Sequence, residues 1–410
     1  MSRTALRSFI QRIHFYGGMF VGPFILVAAL TGCLYAMAPT LEKVVYHDVM
    51  SVPAVEHPVS LEEQIQAAQH EVIGDYPTYS GLGEMPLRRW ISSLHESFHL
   101  GKVGELYSEL AASWLWVMAC GGLYMWWIRR RPKNKATGNA AQQPKRSARW
   151  KATRLHSTVG AWIFIGLLGL SATGITWSGL AGDNVDSLVE RMQWKATPIE
   201  TALPGTTAET HEHTMHEGHE GHGVGGASSS TNIAAEAERV FATGRAEGLT
   251  GPLRMYPPED AHSAWQVSER WVEWRTTSDA ISVDGATGDV IDRQPFSSLP
   301  LFSKLSSWGI YLHMGIMFGL PLQIALFALG LATAALVVLG YYMWWKRRPR
   351  FLPTAHFSWT TTGLGALFAA TVGVFLPLLG ITLAAFLILD IVLVYRATTP
   401  RRERTPIPVG

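Results

Sequence analysis

The sequence predicts an α-helical integral membrane protein with a two-fold internal repeat, about six transmembrane helices and small α+β domains outside the bilayer. The first observation is composition, since 48% of the 410 residues are apolar and only 16% are charged. The second is a series of apolar runs of about 18 residues or more, which is the length of a membrane-spanning helix. The third is a pattern of histidine, glycine and aromatic residues that occurs twice along the chain.

Six apolar runs are candidate membrane spans. They lie near 15–38, 108–128, 159–181, 309–345, 357–375 and 378–395. The fourth run is too long for one perpendicular span, so part of it should tilt, bend or lie outside the bilayer. The places where such a bend is expected are Gly319–Pro321 and, in the first half, Gly101–Gly104. Gly373, Pro377 and Gly380 predict a tight hairpin between the last two runs, and one long helix is the alternative.

The distribution of basic residues predicts the orientation. Lysine and arginine are concentrated before the first run, between the second and third, after the fourth and at the C-terminus. The positive-inside rule places these segments and both termini in the cytoplasm. We therefore expect a multi-pass protein of the bacterial inner membrane with an uncleaved N-terminal helix. The net charge of +2 and the lack of a basic stripe argue against a nucleic-acid partner.

The expected organisation alternates between membrane and aqueous segments. Membrane helices are expected at 1–40, 106–131, 156–182 and 306–346, a hairpin at 356–396, periplasmic segments at 41–105 and 183–305, and cytoplasmic segments at 132–155 and 397–410.

The second periplasmic segment is expected to contain a small α+β domain at 232–296. Ile233 to Arg245 predicts a helix, and the alternation of apolar and polar residues in Trp265–Ser268 and Trp271–Arg275 predicts strands. The first periplasmic segment opens similarly at Ser60, but few strands follow, so it is interpreted as a truncated counterpart.

A histidine-rich stretch at 210–223 has a composition that cannot form a packed core. We expect a disordered loop that binds Ni, Cu or Zn loosely at most. Its histidines are His211, His213, His216, His219 and His222.

Four histidines occupy matching positions in the two halves of the chain. His14 and His156 each follow an arginine and an aliphatic residue, and each precedes a Thr-Gly pair at offsets 17 and 18. His95 and His313 each follow leucine and precede glycine, tyrosine, methionine and Trp-Trp at six shared offsets. An internal duplication explains this pattern better than chance. Ionisable residues near membrane depth are functional candidates.

Two pairs of histidines suit two haems, each with an imidazole on either face of the porphyrin. His14 and His156 should begin outward-running helices at the cytoplasmic side, and His95 and His313 should begin inward-running helices at the outer side. The natural pairs are therefore His14 with His156 and His95 with His313. Because the chain has no Cys-x-x-Cys-His motif, both haems are expected to be b-type. Histidines that merely anchor helix ends are the alternative.

Glycines near the histidines predict where a porphyrin would find room. Gly18 and Gly160, four residues after His14 and His156, could clear space for the inner haem. Gly32 and Gly174 lie five α-helical turns after the same histidines, and therefore on their faces. These two either leave room for the outer haem or allow close helix packing. His99 is a weak alternative ligand, and His356 has no counterpart in the repeat.

In these motifs the chain resembles the PepSY-associated transmembrane family over about residues 1–350. The matching pieces are the segments Arg-Ile-His14 to Gly32, Leu-His95 to Gly101, Arg-Leu-His156 to Gly174, and Leu-His313 to Pro321, with Ser282–Ile291 similar to the end of a PepSY domain. Members include inner-membrane di-haem reductases of ferric siderophores. The resemblance implies that the four histidines bind haem and that the outer domains are PepSY-like.

The resemblance implies transmembrane electron transfer through two haem b groups to a ferric siderophore or ferric chelate in the periplasm. The electron donor would be quinol, a flavin or a soluble reductase. A respiratory cytochrome with another acceptor is the closest alternative. A transporter component, for which Asp390 is the obvious buried charge, and a membrane-anchored regulatory module are the others.

Overall fold

The computed structural model describes residues 3–51, 53, 58–71, 85–130, 147–205, 233–258, 260–347 and 359–398. The predicted histidine-rich loop at 210–223 and His356 lie outside these residues. The described chain is mostly helical, with one small antiparallel sheet. It divides into two units. The first contains 1–33, 95–186 and 328–410, and the second contains 34–94 and 187–327.

The helices have the following bounds. They are α1 (Arg3–Tyr16), a π-helical segment (Gly17–Val21), α2 (Gly22–Val45), α3 (His47–Met50), α4 (Leu61–Glu71), α5 (Pro86–Ser97), α6 (Gly101–Arg130), α7 (Ala148–Trp162), α8 (Phe164–Thr176), α9 (Gly179–Arg191), α10 (Ile233–Ala246), α11 (Leu301–His313), α12 (Gly319–Arg347), α13 (Trp359–Phe375) and α14 (Pro377–Thr398).

Three helical stretches among the described residues are long and apolar enough to cross a membrane, namely Thr4–Val45, Gly319–Lys346 and Pro377–Tyr395. Helices α7 and α8 would together make a fourth, although they meet at a bend of 62°. The predicted span at 108–128 lies within α6, and α13 is the described part of the predicted span at 357–375, but neither helix is long and apolar enough to be counted with these. Tryptophan, tyrosine and glycine lower the mean hydropathy of α6, and the apolar part of α13 is short.

The long fourth run is broken where the sequence predicted a bend, because α11 ends at His313 and α12 begins at Gly319. The matching break in the first half separates α5 from α6 at residues 98–100. Gly101 and Gly319 open the two following helices with φ of 58° and 56°, a left-handed conformation that favours glycine. The expectation that His95 and His313 begin inward-running helices was therefore wrong, since both lie in the last turn of the preceding helix.

The C-terminal hairpin was predicted correctly. Only Leu376 separates α13 from α14, and Gly373 and Gly380 approach so closely that a Cβ on either residue would meet the backbone of the other. The hairpin shares an apolar core with α1, α2 and α6 in the first unit. Buried members of that core include Ile13, Tyr16, Trp114, Leu379, Leu383 and Leu387.

The second unit contains the predicted small α+β domain. Its strands β1 (Leu253–Tyr256), β2 (Trp265–Glu269), β3 (Ala280–Val283) and β4 (Val290–Gln294) form an antiparallel sheet in sequence order. Helix α10, predicted over Ile233 to Arg245, covers the sheet and buries Val240 against Val267 and Val283. Helix α4 packs on the same core through Leu61 and Ile65. The segment 41–105, which was predicted to be the first periplasmic one, therefore contributes a helix to this domain.

The second strand predicted for this domain, Trp271–Arg275, does not form. Trp274 has a φ of 67°, and the Arg275 N–H donates to the Val272 carbonyl, so the chain turns there. The apolar residues of this stretch pack individually. Trp271 stacks on Tyr311 with ring centroids 4.5 Å apart. Alternation alone could not distinguish a strand from such a packed turn.

We expect Glu269→Gln to destabilise the α+β domain by about 2 kcal/mol, because its carboxylate accepts several hydrogen bonds and these are stronger for a charged acceptor. The donors are the Thr250 N–H and hydroxyl, the Asp279 N–H and the Arg275 guanidinium. Burial raises the pKa of Glu269, but these bonds outweigh it and hold the pKa below the ordinary value of 4.5. The stabilisation is therefore present above pH 4.5 and is lost as the pH falls below it.

Hydrogen exchange of β2 and β3 in the full-length protein, followed from pH 7 to pH 4, measures this loss. Glu247→Gln is the matched control, since its exposed pair with Arg293 should contribute little. Equal losses of protection in the two variants would contradict the assignment.

Candidate functional site: a histidine pair across an apolar cavity

His14 and His156 come together in the first unit, as the sequence predicted. His14 lies near the C-terminal end of α1, and His156 lies in the middle of α7. Their ring centroids are 6.4 Å apart and their planes are perpendicular. Both imidazoles are half-buried. The two residues are 142 positions apart in the sequence, so helix packing alone brings them into register.

A cavity of about 330 Å³ opens beside this pair. Apolar and aromatic side chains form most of its wall, which is typical of a cofactor site. Two arginines, Arg129 and Arg149, line it as well. Its other lining residues include Gly18, Met19, Met118, Gly122, Trp126, Gly160, Leu336, Gly340, Tyr341 and Met343.

The hydrogen bond of His156 fixes which ring nitrogen is available for a ligand. Nδ1 lies 3.0 Å from the carbonyl oxygen of Leu336. Because a carbonyl only accepts, Nδ1 carries the proton and Nε2 keeps its lone pair. Metal-binding histidines commonly donate their second N–H to a backbone carbonyl in this way. His14 Nδ1 is buried and has no hydrogen-bond partner among the described residues.

Glycines line the cavity and clear space around the His14 imidazole. Gly18 and Gly160 line the cavity, as predicted. A Cβ on Gly122 would lie 3.4 Å from His14 Cε1, and one on Gly121 would lie 3.5 Å from His14 Nδ1. The sequence showed Gly122 and its repeat counterpart Gly340 as a shared pattern without a role. The structure places both on the wall of this cavity.

Both histidine helices are irregular within seven residues of the histidine. The π-helical segment Gly17–Val21 follows His14, and π-helical turns often occur at functional sites. The Met19 carbonyl within it accepts a hydrogen bond of 2.6 Å from the Tyr341 hydroxyl. After His156, the chain bends at Ile163 between α7 and α8. No signal in the sequence identified either irregularity.

The prediction that Gly32 and Gly174 share the faces of His14 and His156 assumed unbroken α-helices, and these irregularities interrupt both helices. A Cβ on Gly32 would lie 3.2 Å from His95 Cε1, so this glycine makes room for the imidazole itself. A Cβ on Gly174 would lie 3.0 Å from the Ala112 Cβ, which is close helix packing. Of the two roles left open, packing describes Gly174, and Gly32 serves the histidine of the other pair.

Thr31 orients His95. Its hydroxyl donates to the Val27 carbonyl at 2.9 Å, so its oxygen accepts the Nδ1 proton of His95, also at 2.9 Å. The Tyr107 hydroxyl donates to the His95 carbonyl. This bond places the proton on Nδ1 of His95, which is the tautomer that His156 also adopts. The repeated Thr-Gly pair was visible in the sequence, but only its glycine was interpreted.

His313 and His99 are the other described histidines that the sequence suggested as ligands. His313 is half-buried at the end of α11 in the second unit, whereas His95 belongs to the first unit. Their pairing stays a prediction. His99 lies on the exposed turn after α5 with a φ of 58°.

The His14–His156 geometry fits a haem with two imidazole ligands. Two metal–nitrogen bonds of about 2 Å each, together with the offset of each nitrogen from its ring centre, separate the centroids by roughly 6 Å. The observed separation is 6.4 Å. The glycine-lined wall leaves room for a flat ring, and Arg129 and Arg149 could pair with its propionate carboxylates. No cluster of three or more metal-binding side chains occurs among the described residues.

In a comparison with protein families, residues 11–347 match a model described as the PepSY-associated TM region. The match contains all four histidines and ends before the C-terminal hairpin. No curated protein matches the chain.

We expect Gly17→Ala to destabilise the first unit by about 2 kcal/mol, a typical cost of overpacking. The added Cβ would lie 2.7 Å from Met118 Sδ and 3.0 Å from the ring of Trp114, which is fully buried. Thermal unfolding in mild detergent measures this. Gly169→Ala on α8 is the control, since nothing lies within 4 Å of its Cβ. Equal unfolding temperatures for the two variants would show that the close approach of the π-helical segment to α6 does not stabilise the position of His14.

Proposed function

The chain belongs to the PepSY-associated transmembrane family, and we propose that it transfers electrons across the membrane through two b-type haems to reduce a ferric chelate outside. The observation that carries this proposal is the His14–His156 pair. Its rings stand at the separation of two axial ligands, beside a cavity lined by glycine, apolar and arginine residues.

The duplicated pattern supports a second, outer haem held by His95 and His313. Gly101 and Gly319 share the same left-handed backbone at matching positions after the two histidines, as a structural repeat requires. Thr31 presents the His95 ring in the tautomer that binds a metal. The proposal includes the finer topology of six spans, with α6 and α13 crossing beside the more apolar helices, and with both termini in the cytoplasm.

The protein residues hold and orient the two sites. Leu336 and Thr31 fix the imidazole tautomers, and glycines admit a flat ring between packed helices. Haem supplies reversible one-electron chemistry when it is bound. Addition of one electron converts a ferric chelate to the ferrous form, which hard oxygen ligands hold less well, so iron is released. We propose a ferric siderophore as the acceptor and quinol, a flavin or a soluble reductase as the donor.

The rival functions make different demands on the same residues. A respiratory cytochrome needs the same histidines but another acceptor, so only acceptor assays separate the two. A transporter needs a buried charge that can take up its cargo, whereas Asp390 forms an ion pair of 2.7 Å with Arg12. A purely regulatory module needs no pre-oriented imidazoles.

We expect the purified protein to contain about two b-type haems per chain. His14→Ala and His156→Ala should each lose about one haem, because a single imidazole holds the ring weakly, and His95→Ala and His313→Ala should lose the other. Reduced-minus-oxidised spectra with pyridine-haemochrome quantitation measure the content. His47→Ala, at an exposed position on α3, is the control. A wild-type protein that remains colourless after haem supplementation would sink the redox proposal.

Reconstituted vesicles with a reductant sealed inside should reduce an external ferric hydroxamate, detected by a ferrous chelator in the outer solution. We expect the rate to fall at least tenfold in either His14→Ala or His95→Ala, because loss of one haem interrupts the path. Wild-type activity with a quinone but none with several ferric chelates would favour the respiratory alternative.

A further inference from the structure

The C-terminal hairpin reaches the helix that carries His14 through one buried carboxylate. Asp390 on α14 is fully buried, and its Oδ1 lies 2.7 Å from Arg12 Nε on α1. The Tyr16 hydroxyl donates to the same oxygen at 3.0 Å. Arg12 is also buried and donates to the Ser8 hydroxyl at 2.9 Å. A charged pair at such a position is costly, so it marks a functional role.

The position of this contact on α1 is informative. Arg12 and Tyr16 are one turn apart and therefore lie on one face of the helix. His14 is two residues from each, and at about 100° per residue it projects from the opposite face. The Asp390 carboxylate thus binds the face of α1 that carries Arg12 and Tyr16, while His14 on the opposite face lies beside His156. Rotation of α1 about its axis would break both contacts to Asp390 and would turn His14 away from the cavity.

The hairpin has other polar contacts with the bundle, since the Asn184 amide on α9 donates to the Val374 and Phe375 carbonyls at 3.3 Å. The Trp114 indole N–H on α6 donates to the Thr382 hydroxyl at 2.8 Å. Phe386 contacts the rings of Tyr16, Phe20 and Trp114. These contacts seat α14 against α1 and α6, but apolar contacts do not specify a rotation as a directed ion pair does. The hairpin lies outside the region matched by the family, which ends at residue 347.

Resting on the function proposed above, we propose that Asp390 is a positioning residue for the inner haem. Through Arg12 and Tyr16 it sets the rotation of α1, and it thereby sets the direction of the His14 imidazole relative to that of His156. The C-terminal hairpin is then a structural part of the haem site and not merely an extra anchor.

The test compares the electron paramagnetic resonance spectrum and midpoint potential of each haem in Asp390→Asn with those of the wild type. The spectrum of a low-spin ferric haem depends on the angle between its two imidazole planes. We expect one haem signal to shift while the other, held by His95 and His313, stays in place as an internal control. Unchanged spectra and potentials for both haems in Asp390→Asn would overturn the proposal.

Three further variants separate positioning from general damage. Thr382→Val removes a polar contact between the hairpin and α6 and should leave both haem signals unchanged. Tyr16→Phe removes one of the two contacts to Asp390 and should shift the same signal by less, which keeps the test decisive if Asp390→Asn does not fold. The exchange Arg12→Asp with Asp390→Arg should restore the signal at least in part. Equal shifts in Thr382→Val and Tyr16→Phe would contradict a specific role.

A readout without haem keeps this inference distinct from the proposed function. The variant for this readout carries His14→Cys and His156→Cys, together with Cys33→Ser and Cys120→Ser. A short bis-maleimide should cross-link its two remaining cysteines efficiently. Asp390→Asn should lower the yield several-fold, whereas Thr382→Val should not. A wild-type protein that never binds haem would refute the proposed function alone. An unchanged cross-linking yield in Asp390→Asn would refute the positioning role of Asp390.

Discussion

Helices in a bilayer must satisfy their polar groups from within the protein, and this constraint shapes most of the structure of the first unit. Buried hydroxyls commonly donate to helix carbonyls, as when the Thr31 hydroxyl donates to the Val27 carbonyl and the Ser171 hydroxyl donates to the Ala112 carbonyl at 2.6 Å. The same rule fixes the tautomer of His156, because a backbone carbonyl is the partner that the helix α12 offers. The imidazoles are therefore oriented by the bundle before any ligand arrives.

Close approach of helices is the second requirement, and glycine provides it. Gly121 and Gly122 let α6 pass beside His14, Gly32 lets α2 pass beside His95, and Gly330 contacts Cys33. In each case a methyl group would fill the space that a functional ring or a neighbouring backbone occupies. Membrane helices pack largely through such contacts, since lipid gives no hydrophobic reason for helices to associate. The site and the bundle are thus stabilised by the same small residues.

The sequence predicted the histidine pair His14–His156, the breaks before Gly101 and Gly319, the hairpin near Pro377 and most of the α+β domain. These features have strong local signals, such as repeated motifs, glycine and proline. It failed wherever a helix departs from ideal geometry. The π-helical segment after His14 and the bend at Ile163 depend on tertiary contacts, such as that from the Tyr341 hydroxyl to Met19. Consequently the faces assigned to Gly32 and Gly174 assumed a regular helix geometry that the structure does not have, although the glycines themselves were singled out.

The π-helical segment also has a consequence for how this chain can change over evolutionary time. A π turn holds one residue more than the α turn it replaces, so Gly17–Val21 sets the angular phase between His14 and the Thr31–Gly32 pair on one continuous rod. Removal of a single residue there would leave a regular helix of nearly the same apolar character. Because the α turn covers the same rotation with one residue fewer, the two ends would keep nearly the same orientation. Removal of a residue from a regular α-helical part of the rod would instead swing one end by about 100° relative to the other. Loss of one residue should therefore be tolerated better within Gly17–Val21 than elsewhere between His14 and Thr31.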